Sequence, residues 1–288
     1  MLFTPYEFYA PTTLSDALYL MDHHPGAKPL AGGMSMVPAM NLGLFRPEVV
    51  VSLNHVAGLA EINDEGDVLR LGGMVRHHHV ATSSLVHRHA PLLAEAAGLI
   101  ADVQVRHRGT IGGSVSHADP AADYLSVLGA LDARITVASM RGERTIAARE
   151  FFVDVLSTAL EPSELVVSIV VPKIVEGASC AYARLSRVEG SFALVNAAAI
   201  VTGARVVAAV GGTTAVPALI DISRDPDTGD SDGLLVRVGD AAFEACADAF
   251  GDLNGSAGYR RAMARVFARR AVERALVRRH PEPASYND

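Results

Sequence analysis

Apolar and polar positions follow two different periods along this chain, and the period switches several times. In residues 13–24, TLSDALYLMDHH, Leu14, Leu18 and Met21 share one helical face. Thr13 stands where an N-cap belongs, with Asp16 three residues on. AKPL (27–30) reads as a short strand that runs into Gly32-Gly33, MVPAMNLGLF (36–45) as a short helix or loop, and EVVVSL (48–53) as a buried strand by its valines. These fifty-odd residues predict a small βαβ-like unit.

From Leu59 the pattern shortens. LAEINDEGDVLRLGG reads as two strands around a Glu-Gly turn, and PLLAEAAGLI (91–100) as a helix with Pro91 at its first position. A further helix is expected over AADYLSVLGAL (121–131), a hairpin over ARITVAS and GERTIAA, a short helix over EFFVDVL (150–156) and a buried strand over SELVVSIVVPK. After Pro172 a third unit begins. Its expected strands are CAYARLSR, ALVNAAAIVTG and RVVAAVGG, and its helices AAFEACADAF (241–250) and the long segment 256–280. SRDPDTGDSDG (223–233) reads as a mobile acidic loop. Mixed ends around a strand-rich middle define an α+β protein, divided at 1–56, 57–175 and 176–288.

Composition narrows the function. Half of the 288 residues are apolar and the net charge is −7, which disfavours a nucleic-acid-wrapping role. The N-terminus has neither the basic start nor the apolar core of an export signal, and no apolar run spans a bilayer, so a cytoplasmic protein without membrane insertion is expected. Cys180 and Cys246 are the only cysteines, too few to hold an iron–sulfur cluster by thiolates alone. No acid–base or nucleophile constellation emerges, so no catalytic residue is assigned.

Two glycine pairs carry the candidate chemistry. KPLAGGMSMVPAMN holds Gly32-Gly33 followed by Ser35, and QVRHRGTIGGSVSHADPAADY holds Gly112-Gly113 followed by Ser114. A diphosphate needs several backbone N–H groups at close range, and glycine removes the Cβ and permits positive φ. The second pair is read as lying before a helix capped by Asp119-Pro120, whose start adds partial positive charge. Either pair alone is equally an ordinary turn; neither is a dinucleotide fingerprint or a phosphate loop.

The two glycine motifs together, PLAGGMSMVPAMNL and RGTIGGSVSHADPAAD, resemble those of the FAD-binding medium subunits of molybdenum hydroxylases, the xanthine dehydrogenase and carbon monoxide dehydrogenase family. The similarity runs from about Tyr6 to Leu276, including the closing helix. It implies a two-lobed FAD-binding domain of the PCMH/vanillyl-alcohol-oxidase type plus a C-terminal α+β domain. It also implies noncovalent FAD, with molybdopterin on a large partner subunit and [2Fe–2S] clusters on a small one, assembled as a dimer of heterotrimers. Electrons from the clusters would pass through FAD to an external acceptor. By the same resemblance, Ala31, Gly32, Gly33, Met34 and Ser35 with Thr110, Ile111, Gly112, Gly113 and Ser114 line the FAD diphosphate. Asp123 contacts the flavin or its ribityl chain, the Val166 backbone approaches the cofactor and Phe192 lies near the ring. From the residues alone, Asp123 serves equally as a first-turn helix charge, and Val166 and Phe192 as core.

Departures from the pattern are Ser114 where relatives often carry Asn, and Ser191 where they carry Asp. Met34 and Asn41 replace the His and Lys of carbon monoxide dehydrogenases, which points toward relatives acting on N-heterocycles, aldehydes or ketones. Rival readings are a self-sufficient flavin oxidase of the vanillyl-alcohol-oxidase type and a non-catalytic nucleotide-binding protein. His77 and His79, which would share a face in a strand, have no evident third ligand, so no metal site is assigned. Eight arginines from Arg260 to Arg279 read as a solvated basic face or a docking face.

Overall fold

The computed structural model describes residues 5–225 and 230–279. Its backbone contacts divide into two compact units, residues 1–119 with 132–173, and residues 120–131 with 174–288.

The first unit opens with β1 (Glu7–Tyr9), α1 (Leu14–His23), β2 (Lys28–Leu30), α2 (Met36–Asn41) and β3 (Val49–Ser52). β1 and β2 pair in parallel on either side of β3, so the valine strand is the centre of the sheet. α1 starts where its cap dictates: Thr13 Oγ1 accepts the Asp16 N–H at 3.1 Å. Its buried stripe of Ala17, Leu18 and Met21 packs with Val51, Leu53, Ala138, Leu165 and Val167 in one apolar cluster, which joins the small parallel sheet to the next layer.

That layer is an antiparallel sheet. β4 (Ile62–Glu65) and β5 (Val68–Gly72) precede a run of short helices: α3 (His77–Thr82), α4 (Ser84–His89), α5 (Pro91–Leu99), α6 (Val103–Arg108) and α7 (Ile111–His117). α8 (Asp123–Ala130) follows and belongs to the second unit. The first unit then resumes with β6 (Arg134–Ser139), β7 (Gly142–Ala147), α9 (Ala148–Phe151), β8 (Phe152–Asp154), β9 (Ser157–Thr158) and β10 (Leu165–Pro172). The strand order is β4-β5-β10-β6-β7, with apolar β10 in the middle.

The second unit is a four-stranded antiparallel sheet of β11 (Ser179–Leu185), β12 (Val195–Val201), β13 (Arg205–Gly211) and β14 (Ala218–Ser223), with α10 (Ser231–Ala245) and α11 (Ala257–Arg279). Ala181, Ala183, Ala197, Ala199 and Ala208 face α10 and α11 in its core. Alternation turns Tyr182 and Asn196 toward α8, where their side chains meet Asp123 and Ser126. Small side chains let helices lie close on both faces.

Several elements depart from the sequence reading. The second glycine pair does not precede a helix but lies inside one: Thr110 is the N-cap of α7, and its Oγ1 accepts the Gly113 N–H. Asp119-Pro120 does not occupy the cap position of α8, which begins at Asp123 with Ala122 as its N-cap. His77 to His79 form the first turn of α3, after the extended Arg76, so His77 and His79 do not share a strand face. EFFVDVL is helix only to Phe151, after which Phe152–Asp154 pairs with β9. α10 begins at Ser231, capped by Asp230, so part of the expected acidic loop is helical, while 226–229 and His280 lie outside the described residues. β1, β14, α4 and α6 were not anticipated.

Candidate functional site

The first glycine loop leaves β2 at Leu30 and enters α2 at Met36. Gly33 takes φ of +75°, a left-handed value glycine adopts without strain. Gly32 is buried against the other loop: a Cβ there would lie 2.3 Å from the Arg108 carbonyl oxygen and 2.7 Å from Gly109 Cα. The two motifs, some seventy residues apart in sequence, are therefore in backbone contact. Among the described residues, the N–H groups of Gly32, Gly33, Met34 and Ser35 donate to no protein acceptor. A run of successive open N–H groups around a left-handed glycine is an anion-binding concavity.

The second loop is built differently. Ile111 N–H donates to the Val75 carbonyl at 3.0 Å, Gly112 N–H to the Gly73 carbonyl at 2.9 Å and Ser114 N–H to the Thr110 carbonyl at 3.0 Å. Gly113 N–H donates to Thr110 Oγ1 at 3.0 Å. The first-turn donors of α7 are thus engaged within the protein. Gly112 is glycine because a Cβ would lie 2.5 Å from the Gly73 carbonyl oxygen. A Cβ on Gly113 would come within 3.4 Å of Ala31 Cβ, so Gly113 faces the first loop. Ser114 is half-buried, and Thr110 and Ile111 are buried.

Val166 sits in β10 at a break in register with β6. Its carbonyl oxygen presses on Gly73, where a Cβ would lie 2.4 Å away. Gly73 and Gly112 therefore stack β10, the end of β5 and α7 backbone on backbone. His77 lies beneath Gly109, and burial, with Arg76 and Arg106 adding to it, pushes its pKa down to about 4.

In the second unit, Asp123 is buried in the first turn of α8. It accepts the Tyr182 hydroxyl at 2.6 Å, and Arg184 Nε lies 3.5 Å from the same oxygen. Burial raises its pKa, against the opposing pull of Arg184 and the Tyr182 hydroxyl. Phe192, in the β11–β12 connection, is 60% exposed, which removes the core reading and leaves an aromatic face open. Sequence reasoning missed Asn54 and Arg76: Asn54 Nδ2 donates to the Ala31 carbonyl at 3.1 Å and Arg76 Nη2 to Asn54 Oδ1 at 2.7 Å.

Of the eight α11 arginines only Arg260 is buried; the others are exposed or half-buried, several with their guanidinium groups bonded within the unit. Buried Arg260 donates to the Leu194 and Gly212 carbonyls at 2.7 and 2.6 Å and pairs with Asp252. Arg274 and Arg278 reach the Tyr182 and Cys180 carbonyls, and Arg261 lies over the Phe243 ring. The basic face expected from sequence is therefore present, and several of its arginines also tie α11 to the rest of the unit. Among the described residues, no group of three His, Cys, Asp or Glu side chains is placed to hold a metal ion, and no helix is long and apolar enough to cross a membrane.

A two-layer first unit with joined glycine loops and a separate sheet-and-helix unit define a flavin-binding class of protein. Residues 4–174 match the family described as "FAD binding domain in molybdopterin dehydrogenase". The chain is 35% identical over 289 residues to the 6-hydroxypseudooxynicotine dehydrogenase complex subunit alpha of Paenarthrobacter nicotinovorans, covering 97% of each. It is 34% identical to the carbon monoxide dehydrogenase medium chain of Hydrogenophaga pseudoflava, covering 95% of this chain and 98% of that one. Its structure superposes on a chain of the reconstituted CO dehydrogenase from Oligotropha carboxidovorans with a TM-score of 0.89 at 31% identity, covering 96% and 100%. The chain belongs to the family of FAD-binding medium subunits of molybdenum hydroxylases, and is a flavoprotein oxidoreductase subunit of the PCMH-type fold.

Proposed function

We propose that the chain binds one FAD noncovalently and is the electron-exit subunit of a molybdenum hydroxylase. In this reading a large partner carries molybdopterin and oxidises the substrate, and a small partner carries the [2Fe–2S] clusters. This chain holds the FAD through which electrons reach an external acceptor. When bound, FAD supplies redox chemistry that accepts electrons singly and releases them singly or in pairs. The assembly is a dimer of heterotrimers in the cytoplasm.

The observation that carries the reading is the run of open N–H groups from Gly32 to Ser35. They can take the diphosphate oxygens, and Ala31 completes that loop. Thr110 to Ser114 serve as the facing wall, with the Ser114 hydroxyl as a donor and Gly113 giving room. Val166 supports that wall from behind through Gly73. Asp123 is assigned to the flavin or ribityl chain, and Phe192 offers an aromatic surface to the ring. Substrate choice belongs to the large partner; relatives named for a nicotine derivative and for carbon monoxide are almost equally similar to this chain.

Two measurements test this. The purified chain should carry stoichiometric FAD that acid precipitation releases into the supernatant; flavin that stays with the precipitate would favour a covalent oxidase instead. Co-expression with the two partner chains should give one co-eluting complex whose flavin is reduced by the holoenzyme substrate, while the isolated chain is not reduced. A chain that binds FAD but never co-elutes with the partners ends the electron-exit assignment.

A further inference from the structure

The nest lies on a loop that follows a three-residue edge strand. Open donors crowded on such a loop gain nothing from one another, so its binding shape must be held from outside. Ordering it only on binding would cost affinity, because each fixed residue loses backbone entropy. One polar chain within the first unit supplies the hold. Asn54, just past β3, donates from Nδ2 to the Ala31 carbonyl at 3.1 Å and to Ser52 Oγ at 3.1 Å. Its Oδ1 accepts Arg76 Nη2 at 2.7 Å. Arg76 Nη1 donates to the Arg108 carbonyl. That carbonyl is the one on which Gly32 packs.

We propose that Asn54 and Arg76 are positioning residues that clamp the two glycine loops together and hold the Gly32–Ser35 nest in its binding shape. The proposal rests on the FAD reading above. The planar guanidinium suits this role, since its fork reaches two acceptors on different segments at fixed angles. Both acceptors are neutral oxygens, and among the described residues no carboxylate pairs with Arg76. Burial and the Arg108 charge both disfavour the cation here. A guanidinium kept in that setting, bonded to one loop directly and to the other through Asn54, is explained by the geometry it imposes.

The test uses the full-length chain stripped of flavin. FAD is titrated by the quenching of its fluorescence, and the melting temperature of the apoprotein is measured in parallel. Arg76→Ala and Asn54→Ala should each weaken FAD binding roughly tenfold, with the apoprotein melting temperature changed by only a few degrees. The double variant should be no weaker than the worse single one, because both changes break the same chain. Arg76→Lys, which keeps the charge but loses the fork, should remain impaired. Unchanged affinity in the single variants overturns the proposal. So do additive losses, a loss that merely tracks falling apoprotein stability, or full rescue by Arg76→Lys, which would make Arg76 a simple counter-charge. If Arg76→Ala does not fold, Asn54→Asp decides: it keeps an acceptor for Arg76 but cannot donate to Ala31, so unaltered FAD binding would refute the clamp. Wild-type apoprotein that takes up no FAD would instead sink the proposed function itself.

Discussion

The same dipeptide does two jobs in this molecule. In the first loop, Gly32-Gly33 leaves its backbone donors open and bends through a left-handed residue. In the second, the donors of Ile111, Gly112 and Gly113 are spent on Val75, Gly73 and Thr110, and glycine serves close packing against β5. A Gly-Gly motif is therefore not one signal. What distinguishes the two is whether the backbone N–H groups are left open or spent within the protein, since at both Gly32 and Gly112 the absent Cβ makes room for the protein's own backbone.

The sharpest way to break this contrast is to add one methyl group to each. Gly112→Ala places a Cβ 2.5 Å from a carbonyl in the buried stack of Gly73 and Val166, where nothing can retreat. It should lower unfolding stability by about 3 kcal/mol, read from urea denaturation. Gly32→Ala makes an even closer contact, 2.3 Å from the Arg108 carbonyl, and can be accommodated only by parting the first loop from the second, away from the central strands. It should reduce FAD affinity roughly a hundredfold while stability falls by only about 1 kcal/mol. If Gly32→Ala unfolds the protein and Gly112→Ala spares it, the division of roles is reversed.

The second loop should also be the acid-sensitive one. It rests on His77, whose folded pKa of about 4 lies below its ordinary 6.5. The unfolded chain takes up that proton first on acidification. The contribution of neutral His77 is therefore complete above pH 6.5 and is lost progressively as the pH falls to about 4. A shift of that size corresponds to about 3 kcal/mol. The urea midpoint of wild type should fall between pH 7 and 4.5 more steeply than that of His77→Gln. Parallel profiles would show that His77 does not set the window.

Gly33→Ala comes next. A φ of +75° costs a residue with a Cβ about 1–2 kcal/mol, and Val37 lies 3.1 Å from the new carbon. Relief by flattening the loop would close the nest, so FAD affinity should drop about tenfold. An unchanged dissociation constant would mean the open N–H groups do not face the ligand.

Much of the frame was legible because those elements carry their own pattern. α1 shows its cap and stripe, β10 its run of valines, and the β6–β7 hairpin its alternation. α7 was not, because IGGSVSH has poor helix propensity. Its first turn is held by Thr110 and by carbonyls of the β5–α3 connection, partners that only the fold provides. The start of α10 was read ten residues late, since its acidic, glycine-containing first turn looks like loop until Asp230 is seen to cap it. Both glycine motifs were visible, but the clamp was not. Asn54, Arg76 and Arg108 share no spacing, and they meet only because the end of β3, the start of α3 and the end of α6 come together.

The smallest effect belongs to Gly113→Ala, and it probes the boundary between the two roles. Gly113 lies in the first turn of α7, where alanine gains up to about 1 kcal/mol of helix propensity. Its Cβ would meet Thr110 Oγ1 at 2.8 Å, so the cap must shift by a few tenths of an ångström and give back part of about 1 kcal/mol. The two changes nearly cancel, and the urea midpoint should move little. The new methyl group faces Ala31, 3.4 Å from its Cβ, on the side where the second loop meets the first. Any change in FAD affinity then reports contact between this wall and the cofactor, undisturbed by folding. A loss of about threefold, on the order of 0.7 kcal/mol, is expected if Gly113 only borders the diphosphate. A loss as large as that of Gly32→Ala would show that the second loop presses on the ligand directly, and that the two glycine pairs are more alike than their hydrogen bonds indicate.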